Sequence, residues 1–179
     1  MKQKRMRWDA VIDRMPKDRP SVGVELGVYR GKMSRQLLRG LPRLTLYLVD
    51  RWTTYTEEER RVTTGRLPQE EQEHFDEAYR MTLEVVSEFP ERAIIVRNST
   101  TEALSRVAGK VDFVFIDADH SYEACRQDIE LWKGRIVPGG YLFGHDYGRA
   151  RHPGVKRAVD RAFPDGVETD VNGVWGIQL

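Results

Sequence analysis

Cysteine is almost absent. Cys125 is the single one in 179 residues, so a disulfide framework within the chain is excluded. A lone thiol suits a reducing cytosol. Long apolar runs are missing too, and no stretch approaches the roughly 18 uninterrupted apolar residues of a membrane span. The basic start, MKQKRMR, is not followed by an apolar core segment, so it does not read as a secretory signal. These absences predict a cytoplasmic chain with no membrane partner. Charge of one sign is also lacking. The 29 Lys plus Arg nearly cancel the 28 Asp plus Glu, leaving +1. Holding nucleic acid by neutralising phosphates needs a basic excess, so no nucleic-acid partner is expected.

Hydrophobic residues make up 40% and charged residues 32%, which is ordinary for a globular domain. The length fits one domain over residues 1–179. Met6, Val11, Ile12 and Met15 give residues 1–18 the pattern of an N-terminal amphipathic helix. Short apolar runs at 21–27, 45–50, 93–98, 111–117 and 139–146 then alternate with helical patterns at 31–42, 70–90, 99–109, 121–136 and 152–163. Ser99 and Glu102 have capping-box spacing at the start of the third of these helices. Two short strands, 166–170 and 173–179, meet at Asn172-Gly173, a hairpin signal that makes the last strand antiparallel. The alternation predicts an α/β fold, a doubly wound seven-stranded sheet, mostly parallel, with helices on both faces. The polar segment 51–69 is too long for an ordinary connection and reads as a lid or acceptor loop.

Ligands of an open parallel sheet sit beyond the carboxyl ends of its strands. The first strand ends Glu25-Leu-Gly27-Val-Tyr-Arg-Gly31. Gly27 allows a tight turn close to a ligand, and Gly31 opens the next helix. The second ends in Asp50, whose carboxylate can accept hydrogen bonds from both hydroxyls of a ribose. Arg51 and Trp52 follow it, and Trp52 and Tyr55 either line the pocket or anchor the loop. The third ends in Asn98 and Ser99, a polar pair suited to an adenine edge. With Asp117, these residues are the cofactor-binding candidates. The spacing is Glu-x-Gly-x-x-x-Gly, without the pyrophosphate cradle of Gly-x-Gly-x-x-Gly, which favours S-adenosylmethionine over NAD.

A second constellation lies at the ends of strands four and five. Asp117 would stand beside His145 and Asp146, two carboxylates and an imidazole suited to Mg²⁺ or Mn²⁺. His120, one loop turn beyond Asp117, has the ordinary pKa of a general base at neutral pH. Asp119 and Ser121 suit helix capping. Cys125 reads as an inert thiol, Trp132 and Trp175 as core, and Arg149, Arg151 and Arg157 as solvated by default, although they could meet an anionic acceptor.

VELGVYRGKMS, LYLVD, FIDADHSYE and PGGYLFGHDY resemble the signature segments of class I S-adenosylmethionine-dependent methyltransferases. Within that superfamily the chain looks most like a small bacterial family related to the macrocin-type sugar O-methyltransferases, and is more distantly similar to catechol and caffeoyl-CoA O-methyltransferases. The resemblance, over nearly the full length, implies a Rossmann-like sheet and O-methylation of a hydroxylated small molecule. It further implies a divalent metal at Asp117, His145 and Asp146, with His120 as base. His145 departs from the carboxylate usual in those relatives. Three other readings compete: a NAD-dependent oxidoreductase, a metal-dependent hydrolase or hydroxylase, and a non-catalytic cofactor-binding module. One sheet of this size leaves no room for a substrate domain. Acceptor recognition would fall to the N-terminal helix, the 51–69 segment, the 147–153 loop or a second subunit of a homo-oligomer.

Overall fold

A computed structural model describes residues 5–54 and 68–179, with the side chains of 68–70 outside that description. Most of the expected 51–69 loop, Tyr55 included, therefore lies outside the described residues. The elements run α1 (Arg7–Ile12), β1 (Ser21–Leu26), α2 (Lys32–Gly40), β2 (Leu44–Asp50), α3 (Pro68–Glu88), β3 (Ala93–Arg97), β4 (Val111–Ile116), α4 (Tyr122–Lys133), β5 (Ile136–Gly144), α5 (Pro153–Ala162), β6 (Glu168–Asp170) and β7 (Val174–Gln178).

All seven strands join one sheet in the order β3-β2-β1-β4-β5-β7-β6. The chain winds outward from β1 to β3, then returns to β4 on the other side of β1. That reversal leaves a crevice between the carboxyl ends of β1 and β4. Strands β1 to β5 pair in parallel, and β7 runs antiparallel to both β5 and β6. The expected hairpin is present, turned through Asn172 at φ 60°.

Helices α1, α2 and α3 cover one face, packing Val11, Leu37, Leu38 and Val85 against Leu46, Leu48 and Phe115. Helices α4 and α5 cover the other, with Ile129, Trp132 and Val159 against Val24, Val114 and Leu142. Trp132 and Trp175 are core residues, as expected. Cys125 is buried with them, and burial pushes its thiol up to about 12, which leaves it inert.

Two elements are shorter than their patterns. The segment 99–109 forms only one 3₁₀ turn, Glu102–Ser105. Its capping box is nevertheless made: the Glu102 amide donates to Ser99 Oγ at 3.2 Å and the Ser99 amide to Glu102 Oε2 at 3.1 Å. With Gly109 close behind, the capped segment is too short to repay helix nucleation. The N-terminal helix is six residues long. It is anchored by charge as well as by packing. Arg5 forks onto both oxygens of Asp170 at 2.9 and 2.7 Å, and Arg14 pairs with Glu168 at 2.7 Å. This pins the start of the chain to the terminal hairpin.

Trp132 is fully buried and its indole N–H donates to the Thr100 carbonyl at 3.1 Å. Trp132→Ala should therefore cost about 3–5 kcal/mol of stability, read from urea unfolding followed by far-UV circular dichroism.

Candidate active site

Strand register assembles the site. Leu26 pairs with Val49 and with Ile116, and Ile116 pairs with Gly144. The residues that follow these strand ends are brought to one edge. Gly27 donates its amide to the Val49 carbonyl at 2.9 Å, Asp117 to Leu26 at 2.8 Å, and His145 to Ile116 at 3.0 Å. Gly27 is at φ 86°, and a Cβ there would collide with the Asp117 carbonyl. Only glycine lets the first loop pass this close to β4.

A cavity of about 380 Å³ opens along this edge, within the usual size range of small-molecule sites. Gly27, Asp50, Arg51, Asn98, Ser99 and Asp117 all line it. Asp50 accepts from the Tyr29 amide at 2.8 Å and the Trp52 amide at 2.9 Å, so its carboxylate is held in place by backbone on both sides.

Three other candidates stand behind the wall rather than in it. Trp52 is fully buried, donates to the Tyr29 carbonyl at 2.8 Å and packs against Tyr79, so it anchors the loop. Gly31 is the left-handed N-cap of α2 at φ 68°, tight against Val85. Glu25 lies beneath the cavity, where Ser34 Oγ donates to it at 2.6 Å. Burial pushes the Glu25 carboxyl up to about 8, against the pull of that hydrogen bond. The spacing of Glu25 and Gly31 along β1 and the following turn gave no means of separating wall from support.

Asp128 was not expected at the site. It is buried, lines the cavity with Gln127, and burial raises its carboxyl to about 6 despite a hydrogen bond with Thr100. Its signal was legible: an acid on the same helical stripe as Cys125, Ile129 and Trp132 has to face something polar.

At the other end of the cavity Asp117 meets the histidines. His120 Nε2 lies 3.4 Å from Asp117 Oδ1 and 3.0 Å from Asp146 Oδ2. His145 Nδ1 lies 3.6 and 3.2 Å from the same two oxygens. Asp117 Oδ2 is taken by Arg7 of α1 at 2.6 Å, a contact the sequence did not suggest. Burial alone would raise the Asp117 carboxyl, but the two histidines and Arg7 outweigh it and bring it down to about 2. Burial alone would lower His120, but Asp117 and Asp146 hold it above its ordinary value. His152 stacks on His120 with ring centroids 4.1 Å apart. Asp119 accepts from the Ser121 amide at 2.7 Å and Ser121 caps α4, so these two do support the helix start.

The donor set fits a divalent cation. Asp117, His145 and Asp146 each offer a ligand atom within 4.8 Å of the others, and so do His120, Asp146 and His152. Metal–ligand bonds of about 2.1 Å place neighbouring donors about 3 Å apart, close to the spacings found. Asp146 Oδ1 is buried without a hydrogen-bond partner among the described residues. Asp146 sits at φ 59°, and Tyr29 and Trp52 at the ends of β1 and β2 are also at positive φ. Such backbone costs on the order of 1–3 kcal/mol per residue and tends to gather at functional sites.

The crevice at the chain reversal and the antiparallel β7 set between β5 and β6 give the sheet a Rossmann-like form. Residues 24–147 match the model of a methyltransferase-domain family, and the chain belongs to that family: it is a class I S-adenosylmethionine-dependent methyltransferase. Solved structures agree on the fold. The O-methyltransferase NovP superposes with a TM-score of 0.65 at 17% identity, covering 96% of this chain and 78% of its own. The calicheamicin methyltransferase CalS11 gives 0.63 at 15%, covering 96% and 76%. An rRNA methylase from Streptococcus thermophilus gives 0.60 at 14%, covering 96% and 92%. Comparison with curated protein sequences gives no match. Among the described residues, no helix is long and apolar enough to cross a membrane.

Glu25 makes stability depend on pH. Its folded pKa of about 8 lies above the ordinary 4.5, so between those values unfolding releases a proton and stability falls as pH rises, by at most about 1.4 kcal/mol per pH unit. Glu25→Gln should abolish this slope. Its melting temperature should gain steadily on the wild type from pH 5 to pH 8, read by calorimetry at each pH.

Proposed function

We propose that the protein is an O-methyltransferase acting on a hydroxylated small molecule with the help of a divalent cation. The observation that carries the reading is the cluster of Asp117, His120, His145 and Asp146 opening onto the same edge as the cavity. In this reading the cavity takes the cofactor, with Asp50 on the ribose hydroxyls and Asn98, Ser99 and Asp128 around the base. Asp117, His145 and Asp146 hold Mg²⁺ or Mn²⁺. The cofactor supplies a methyl group on a sulfonium, whose sulfur leaves neutral, so no leaving anion needs stabilising. The chain has two remaining tasks. It must hold the acceptor oxygen in line with the methyl group, where positioning lowers the barrier, and it must remove the hydroxyl proton. In this reading His120 takes that proton, while the contact of its Nε2 with Asp146 and the stacked His152 fix the ring. NovP and CalS11 support the O-methyl assignment by likeness of fold. The near-zero net charge argues for a small acceptor over RNA, despite the rRNA methylase among the structural neighbours.

S-adenosylhomocysteine at about 100 times its Kd should stabilise the protein by about 2.7 kcal/mol, several degrees in a thermal-shift assay. NAD should produce no shift. Mn²⁺ should add a further increment that Asp117→Asn removes. His120→Gln should lower kcat on a panel of phenols and sugars by about 10²–10⁴-fold while cofactor affinity stays within about twofold. Unchanged turnover in both variants, with cofactor bound, would sink the mechanism.

A further inference from the structure

The loop after β5 and the first turns of α5 form a second concavity, of about 450 Å³, lined by Gly148, Arg149, Ala150, Pro153, Lys156, Arg157 and Asp160. Its charge is out of proportion to the rest of the chain. Residues 149–157 read RARHPGVKR, four cations and no acid, in a protein whose total is +1. The one lining acid, Asp160, is already occupied: Lys156 Nζ donates to it at 2.5 Å and the Tyr147 hydroxyl at 2.7 Å. The arginines are less fully paired. Arg157 lies over the Tyr122 ring, its guanidinium carbon 4.1 Å from the centroid, and has no carboxylate partner among the described residues. The ring contact steadies the guanidinium of a residue that is otherwise exposed. Arg149 gives one N–H to the Asn172 carbonyl at 2.8 Å, and its Nε comes within 3.9 Å of Asp146 Oδ1.

The concavity also borders the reacting centre. Arg149 touches Asp146, and His152, between Arg149 and Pro153, stacks on His120. A molecule with its hydroxyl at His120 would extend past His152 and Asp146 toward Arg149.

We propose that Arg149 and Arg157 bind an anionic group of the methyl acceptor, so that the substrate is a phosphate-bearing hydroxylated small molecule. The proposal rests on the O-methyltransferase reading above and names the acceptor class for that site. Two planar guanidiniums, one pre-oriented by an aromatic ring, suit the forked oxygens of a phosphate better than a flexible ammonium would. A basic concavity beside the reaction centre would also concentrate an anionic acceptor there. No new bond chemistry is required, because the phosphate is held and does not react.

The test uses the full chain, metal-free and saturated with S-adenosylhomocysteine, titrated with inorganic pyrophosphate by calorimetry at low ionic strength. Pyrophosphate should bind with a Kd below about 1 mM. Arg157→Gln and Arg149→Gln should each weaken it at least tenfold, and Lys133→Gln, the same charge change on α4, should leave it within twofold. In a turnover panel of matched acceptors, each phosphorylated compound should exceed its dephosphorylated partner in kcat/KM, and Arg157→Gln should remove that preference. Equal pyrophosphate binding in all variants, no binding, or a preference for the neutral partners would overturn the proposal. The S-adenosylhomocysteine titration separates the two readings. A chain that binds it yet ignores pyrophosphate loses only the acceptor class, and a chain that does not bind it loses the cofactor reading itself.

Discussion

The Asp117 carboxylate is the contact on which the rest of the site depends. It ends the strand beside the chain reversal, where β1 and β4 part to leave a crevice. A carboxylate this buried is costly unless it is matched. Three elements supply the match: Arg7 from α1, His120 from the loop after β4, and His145 from the end of β5. Its backbone is equally engaged, with the amide bonded to Leu26 and the carbonyl against Gly27. One acid thus couples the N-terminal helix, the loop after β1 and the histidine cluster.

The surroundings of Asp117 explain otherwise unrelated features. Arg5 and Arg14 pin α1 to the last hairpin, and that attachment places Arg7 over the cluster. Asp146 keeps a left-handed backbone that directs its carboxylate to both His120 and His145. Trp52, also left-handed, ties the second strand's loop to Tyr29. Strain at the ends of β1, β2 and β5 is borne by a sheet whose strands are buried on both faces, so the edge is rigid where geometry matters.

Much of the fold is legible in the sequence. Period and punctuation located the strands, and Asn172-Gly173 announced the antiparallel end of the sheet. A local signal can be made without the element it announces when the segment is too short to repay nucleation. Ser99 and Glu102 make their capping box, yet only one turn follows. The site divides in the same way. Gly27, Asp50, Asn98, Ser99 and Asp117 were read from their place at strand ends and all line the cavity. Trp52 was open between pocket and anchor, and packing against Tyr79 made it an anchor. Arg7 was invisible because 110 residues separate it from Asp117. Asp128 could have been found as an acid on an apolar stripe.

By itself the sequence determined the strand and helix pattern, the cofactor class suggested by the glycine spacing, and the identity of the acids and histidines available to the site. These follow from local periodicity and from residues a few positions apart. The tertiary structure decided which of those groups meet: that His120 and His145 share one oxygen of Asp146, that Glu25 is buried support, and that Arg149 comes up against Asp146 while Arg157 lies over Tyr122. The reason is physical. Burial and pairing depend on neighbours contributed by distant segments, and strand register brings those segments together.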